Sequence, residues 1–374
     1  MIETLQSAKV IVCVGSGGVG KTTVAAALGF LMAKKGRRVL VLTIDPSQRL
    51  KTTLGLKDTG EISQISHPQI KGQLSAAVIN AKKIFDEFIR RAAQKDELAE
   101  KILRNKLYVQ LSTTLSGSQE FTALEKLYST YESGNYDLII LDTPPTKHAI
   151  DFLHAPQKLS VLFNEGVAKW FRRNPASEKK RGLAMLAGIL QAGSLQVMRV
   201  LEMLTGSEFM RELSDFFRNI EAWQFKLEDR VNTVHRLLVN PDTHFFLVTA
   251  FDLAKLKEAE YFGREIQKGG YHLSCIIINR AFPQWLKLTQ VDDKARTPVS
   301  KGSRLVNFYE EMKRYYQERD QTFELFAKGF LSNSADRNFL FRIPEFDRDL
   351  SDLKDVAELA QLIEDNETRG KDKK

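Results

Sequence analysis

Residues 15–22 constrain this chain more than any other stretch of it. They read Gly15-Ser16-Gly17-Gly18-Val19-Gly20-Lys21-Thr22 and satisfy G-x-x-x-x-G-K-[ST] at every fixed position. The apolar run Val10–Val14 precedes them, and a helical pattern opens at Lys21 and continues through Thr23. A strand, a glycine-rich turn and a helix in that order wrap backbone N–H groups around a polyphosphate, with the positive end of the helix dipole behind them. Lys21 is then expected to reach the β and γ phosphates, and the Thr22 hydroxyl to ligate Mg²⁺. The same letters in another setting would be only a glycine-rich turn; the flanking elements are what point to nucleotide binding.

The rest of the chain supplies the sheet that such a loop needs. Short β-branched runs alternate with long helical patterns, the mark of βαβ units. Strands are expected at Lys9–Val14, Arg38–Ile44, Leu74–Asn80, Asp137–Leu141, His244–Thr249, Ser274–Ile278 and Phe339–Ile343. Several are apolar on consecutive residues, as strands covered on both faces must be. Helices are expected at Lys21–Lys35, closed by Gly36, at Leu253–Lys268, closed by Gly269-Gly270, and from Arg304 to about Phe330. The fold class is α/β, a P-loop NTPase with a mostly parallel sheet flanked by helices. Residues 1–374 read as one such domain, with helical insertions at 82–135 and 155–238 forming a helical subdomain, and 366–374 as a charged, frayed tail.

Composition narrows the setting. Of 374 residues, 43% are hydrophobic and 27% charged, which excludes wholesale disorder. The net charge of +8 spread over this length gives no strong support for a nucleic-acid partner. Two cysteines, Cys13 and Cys275, exclude a disulfide framework and form no C-x-x-C pair. The first residues lack the long apolar core of a signal peptide, and the uncharged stretch Gly182–Met198 carries Gln191, Ser194, Gln196 and three glycines, too polar for a membrane span. A cytoplasmic protein is expected.

Two carboxylates stand where ligands of open α/β sheets bind, at the carboxyl ends of strands. Asp45, in Thr43-Ile44-Asp45-Pro46-Ser47, ends the second strand; Asp142, in Asp142-Thr143-Pro144-Pro145-Thr146, ends an apolar run as the Walker B carboxylate does. Either alone could cap a helix or begin a turn. With the phosphate loop, the three in this order are specific.

At this point the sequence resembles the ATPases that comprise the arsenical-pump ATPase and the tail-anchored-protein targeting factor, within the dimeric P-loop proteins that carry a deviant Walker A loop. The resemblance rests on GSGGVGKTT (15–23), TIDPS (43–47) and LDTPPTKHAIDFL (141–153), with support from Ile276-Ile277-Ile278-Asn279-Arg280 and Arg342-Ile343-Pro344-Glu345. It implies a homodimer that sandwiches two ATP molecules with Mg²⁺. It further implies that Asp45 orients the attacking water in switch I, that Asp142 lies in switch II behind the metal, that Asn279 reads the adenine with Pro344 in the loop beside the base, and that Arg280 belongs to the nucleotide-binding residues. Thr22, Asp45 and Asp142 are the expected metal-side residues, directly or through water.

The sequence also departs from that pattern. The family's signature loop has a lysine at its second position, reaching across the dimer to the partner's phosphates; here Ser16 occupies it. Pro144, Lys147 and Ala149 stand where the family typically has Ala, Gly and Thr. Lys147 or Arg49 is the expected source of the missing charge, the alternative being that both are solvated surface side chains. Two cysteines on separate strands cannot build a three-thiolate site, so a metalloid-pump role is not expected.

Leu186, Leu190, Val197, Leu201 and Leu204 mark one apolar helical face, and Met185, Met198, Met203 and Met210 crowd the same region. Methionine-rich apolar surfaces adapt to varied hydrophobic helices, and the same stripe also suits a packed core. Met185, Leu186, Leu190, Met198 and Met203 are the candidate groove for a hydrophobic helical client or a membrane-linked partner. The reading is a Mg-dependent ATPase at a dimer interface that gates such a client, the alternative being a nucleotide-dependent binding module with weak or no hydrolysis. Replacing Lys147 with alanine is expected to lower ATP turnover about tenfold or more with little change in ATP affinity. Unchanged turnover in a steady-state assay would remove Lys147 from the catalytic set.

Overall fold

A computed structural model describes residues 1–44, 49–56, 61–92, 96–104, 118–143, 224–281, 304–331 and 340–371. Within them the chain runs α1 (Ile2–Ser7), β1 (Val10–Val14), α2 (Lys21–Lys34), β2 (Arg38–Thr43), α3 (Arg49–Leu54), β3 (Ser63–Ile65) and β4 (Gln73–Val78). It continues through α4 (Ala81–Ala92), α5 (Asp96–Leu103), α6 (Ser118–Ser133), β5 (Leu138–Asp142), α7 (Gln224–Leu238) and β6 (Thr243–Ala250). The last elements are α8 (Leu253–Lys268), β7 (Leu273–Ala281), α9 (Arg304–Leu331), β8 (Leu340–Pro344) and α10 (Leu353–Lys371).

The eight strands form one sheet in the order β3-β4-β2-β5-β1-β6-β7-β8, parallel except for the edge strand β3. β1 and β5 are buried at every position, because helices cover both faces and leave no side for polar alternation. The chain goes from β1 to β2 on one side and later from β5 to β6 on the other, so a crevice opens at the carboxyl end of β1. All seven expected strands are present. β3 was not foreseen: three residues, Ser-Gln-Ile, are too few to show a period. The six-residue α1 is likewise too short to carry an amphipathic signal.

α2 carries the phosphate loop at its start and is buried almost throughout, from Val24 to Ala33. It sits against the sheet on one side and α10 on the other, where the ammonium groups of Lys34 and Lys35 both reach Glu364, at 2.8 and 2.5 Å. Those two lysines hold the Glu364 carboxyl below its ordinary pKa. The helix stops in a Schellman motif: Arg37 N–H donates to Met32 and Gly36 N–H to Ala33, with Gly36 at φ +96°. Arg37 then turns back, its half-buried guanidinium donating to the carbonyls of Leu5, Ala8 and Asp137. Gly29 lets the helix lie close on the sheet, since a Cβ there would stand 2.6 Å from Val41 Cγ2.

The chain divides into two compact units, Met1–Ile79 with Leu127–Leu153 and Leu237–Lys374, and Asn80–Lys126 with His154–Arg236. The whole sheet belongs to the first. In the second, Arg230 forks onto the buried carboxylate of Glu125 at 2.7 and 2.9 Å. A bidentate pair of this kind satisfies both oxygens of an acid that would be costly to bury alone. The charged segment expected as a tail from 366 continues α10 as far as Lys371, because a run of charge is solvated but does not oppose a helix.

Gly29→Val is expected to lower stability by about 1–3 kcal/mol through overpacking against Val41 and Leu74. Denaturant unfolding measures this; an unchanged midpoint would mean that α2 can back away from the sheet freely.

Candidate functional site

The loop after β1 leaves the sheet at the crevice and is shaped by three glycines in the left-handed half of backbone space: Gly15 at φ +150°, Gly18 at +76° and Gly20 at +87°. Gly15 is required by space as well, because a Cβ on it would stand 2.0 Å from the Val248 carbonyl oxygen on β6. Gly17 and Gly18 form the exposed tip, while the Val19 side chain is buried in the main core and anchors the far limb. Gly20 is the N-cap of α2 and offers no side-chain acceptor, which leaves the first-turn N–H groups to an anion from outside.

Lys21 is buried, and its ammonium donates to the carbonyls of Gly15 and Ser16, both at 2.9 Å. This folds the side chain back over the loop that the motif says it should serve. One residue on, the Thr22 hydroxyl donates to Asp142 Oδ2 at 2.6 Å. The Thr43 hydroxyl donates to the same oxygen at 2.8 Å. Asp142 is fully buried at the end of β5, level with Thr43 on β2 and Cys13 on β1. Next to it, Thr143 donates through both N–H and Oγ1 to the Cys13 carbonyl, at 3.2 and 2.9 Å. Burial, and then the nearby Asp142 charge, push the Cys13 thiol well above its ordinary pKa, so it is an inert core group.

These donors fit Mg²⁺. The site offers hard oxygens, a carboxylate and a hydroxyl 2.6 Å apart, beside a helix N-terminus suited to phosphate.

On the other side of the loop, the Asn279 amide at the end of β7 donates to the Val19 carbonyl at 2.9 Å. Arg280 is exposed and adopts φ +55°, and Pro344 at the end of β8 pairs with Ala281. The strand end at Pro344 is held from α9. Arg342 reaches Asp320 and Glu324, both at 2.9 Å, and lies 3.9 Å over the Phe323 ring. Tyr316 donates its phenol to Glu345, and burial first, then that carboxylate, raise the phenol's pKa, so it stays a donor.

The structure therefore brings Gly15, Ser16, Gly17, Gly18, Val19, Gly20, Lys21, Thr22 and Thr23 into one loop and helix start, and joins them to Asp142 and Asn279. Asp45, Lys147 and the groove candidates Met185, Leu186, Leu190, Met198 and Met203 lie outside the described residues. Arg49 begins α3. Sequence reasoning gave Thr43 no role. Its role depends on the β2–β5 register, which sets its hydroxyl beside the Asp142 carboxylate.

A model of the family described as anion-transporting ATPase matches residues 8–317. The chain belongs to that family. It is an ATPase with an α/β P-loop fold. Similar proteins include an Aquifex aeolicus protein named, provisionally, arsenical pump-driving ATPase 1, at 23% identity over 95% of this chain and 78% of the relative. ATPase ASNA1 homolog 1 of Paramecium tetraurelia is 26% identical over 74% of this chain and 77% of its own length. ATPase get3 of Schizosaccharomyces japonicus is 26% identical over 71% and 72%. Among the described residues no helix is long and apolar enough to cross a membrane.

Thr43→Val keeps the β-branched shape and removes one charge-assisted hydrogen bond from Asp142. It is expected to lower kcat/KM for ATP about tenfold or more, with Thr43→Ser close to wild type. Equal activity of the valine and native proteins would show that Thr22 alone orients the carboxylate.

Proposed function

We propose that this family member binds Mg·ATP at the loop 15–22, hydrolyses it, and uses the cycle to gate a hydrophobic partner. The observation that supports this best is the joined set Lys21, Thr22 and Asp142 at the start of α2. The loop N–H groups and Lys21 hold the β and γ phosphates. Thr22, Asp45 and Asp142 would hold the metal, directly or through water. Bound Mg²⁺ would neutralise charge developing on the phosphate oxygens. Asp45 orients the water that attacks the terminal phosphorus, Asn279 and Pro344 border the adenine, and Arg280 belongs to the nucleotide-binding residues.

A homodimer follows from the resemblance. Ser16 is 7% exposed and carries no charge. Lys147 or Arg49 would then supply the cross-dimer cation that this family's signature lysine provides, unless both are solvated surface side chains. The groove at Met185–Met203 would take the hydrophobic helix of a client or a membrane-linked partner, in the manner of the tail-anchored-protein targeting branch. An arsenite-pump role does not suit the chain: its two cysteines are buried on β1 and β7 with β6 between them, and trivalent arsenic seeks clustered thiolates. Ser16 favours one second reading, a nucleotide-dependent binding module that hydrolyses weakly or not at all.

ATP turnover measured with Mg²⁺, with excess EDTA, and for Asp45→Asn, in samples of known mass, tests the proposal. Turnover that needs the metal, falls by about a hundredfold or more in the variant, and comes from a dimer is expected. Tight ATP binding without turnover would favour the binding module, and a monomer with full turnover would remove the shared interface.

A further inference from the structure

Asn279 sits in register with Ala250 on β6 and beside an irregularity in the β7–β8 pairing. β7 and β8 pair in regular parallel register from Ile276 opposite Leu340 to Ile278 opposite Arg342, and resume at Ala281 opposite Pro344. Three steps on β7 therefore match two on β8, a bulge of one extra residue. Within it lies Arg280, the one residue other than glycine with positive φ among the described residues, at +55°. Bulges re-aim side chains at functional edges, and a left-handed non-glycine residue is a conformation that the surroundings must enforce. Beside it Asn279, from a strand separated from the loop by β6, reaches the Val19 carbonyl at 2.9 Å. A carbonyl can only accept, so the amide nitrogen must face it.

The contact determines where the next N–H points. In a planar trans peptide the C=O and N–H lie on opposite sides. Holding the Val19 carbonyl toward Asn279 turns the Gly20 N–H away from Asn279. Gly20 is the N-cap of α2, and its lack of a Cβ is what admits the amide, since a Cβ would stand 2.3 Å from Asn279 Nδ2. The buried Val19 side chain closes the third direction. The peptide is thus held at its side chain, its carbonyl and its glycine.

We propose that Asn279 is a positioning residue for the phosphate grip: it locks the Val19–Gly20 peptide so that the Gly20 N–H faces the bound polyphosphate, whatever base is attached. This rests on the loop being the phosphate site. It couples the β7–β8 strand ends to the phosphates through one side chain.

Two measurements on the full chain separate this role from contact with the base alone. In the nucleotide-free protein, amide hydrogen exchange of the segment containing residues 16–22 should quicken about tenfold in Asn279→Ala and also in Asn279→Asp. The aspartate keeps the shape but offers no donor when ionised. With Mg²⁺ present, competition binding should show Asn279→Ala losing affinity for inorganic tripolyphosphate and for ATP by a similar factor, about tenfold. Unchanged loop exchange in both variants would overturn the proposal. So would loss of ATP affinity with tripolyphosphate affinity intact, which is the signature of a base contact only. The exchange measurement needs no ligand, so it decides the role of Asn279 even in a chain that fails to hydrolyse ATP.

Discussion

Asp142 is a carboxylate with no exposure to solvent, and the central part of this molecule is arranged to make that tolerable. A buried charge without partners costs several kcal/mol, so donors must be built around it. Two are hydroxyls on separate elements, Thr22 at the start of α2 and Thr43 at the end of β2. For both to reach one oxygen, β1, β2 and β5 must end at the same level, and the parallel register does this by setting Asp142 opposite Cys13 and Thr43. The Thr143–Cys13 hydrogen bonds close the remaining gap between β5 and β1.

The helix that presents Thr22 has to be as immobile as the carboxylate it meets. α2 has the sheet beneath it, α10 above it, and a glycine at its closest approach to β2. Its amino end therefore stands in a defined place, with Lys21 curled over the loop and no side chain capping the first turn. Phosphate chemistry asks the protein for positioned charge more than for covalent participation, and rigidity of this kind is what supplies it. Next to the bulge at Arg280, Asn279 ties the loop carbonyl of Val19 to β7.

Much of this was legible in the sequence. The phosphate loop, the seven principal strands, the glycine stops after α2 and α8, and the strand-end position of Asp142 all follow from local rules that act within a few residues. What was not legible is non-local or too short to show a pattern. β3 joins the sheet only because β4 offers an open edge, and α1 exists as six residues pinned by Arg37. Thr43 looks like any strand threonine until β5 is set beside it. Asn279 was a candidate for the nucleotide site, but its hydrogen bond to the Val19 carbonyl depends on β6 and β7 being laid beside β1.

Everything above requires the loop and Asp142 to form one Mg-nucleotide site. Calorimetric titration of the slowly hydrolysed analogue ATPγS tests that most directly, into the native chain and into Lys21→Ala, each with and without Mg²⁺. Saturable binding that tightens with Mg²⁺ in the native chain, and is weakened about a hundredfold or more when Lys21 is removed, is the predicted result. Equal binding by both proteins, or binding indifferent to Mg²⁺, would place the nucleotide elsewhere and contradict it.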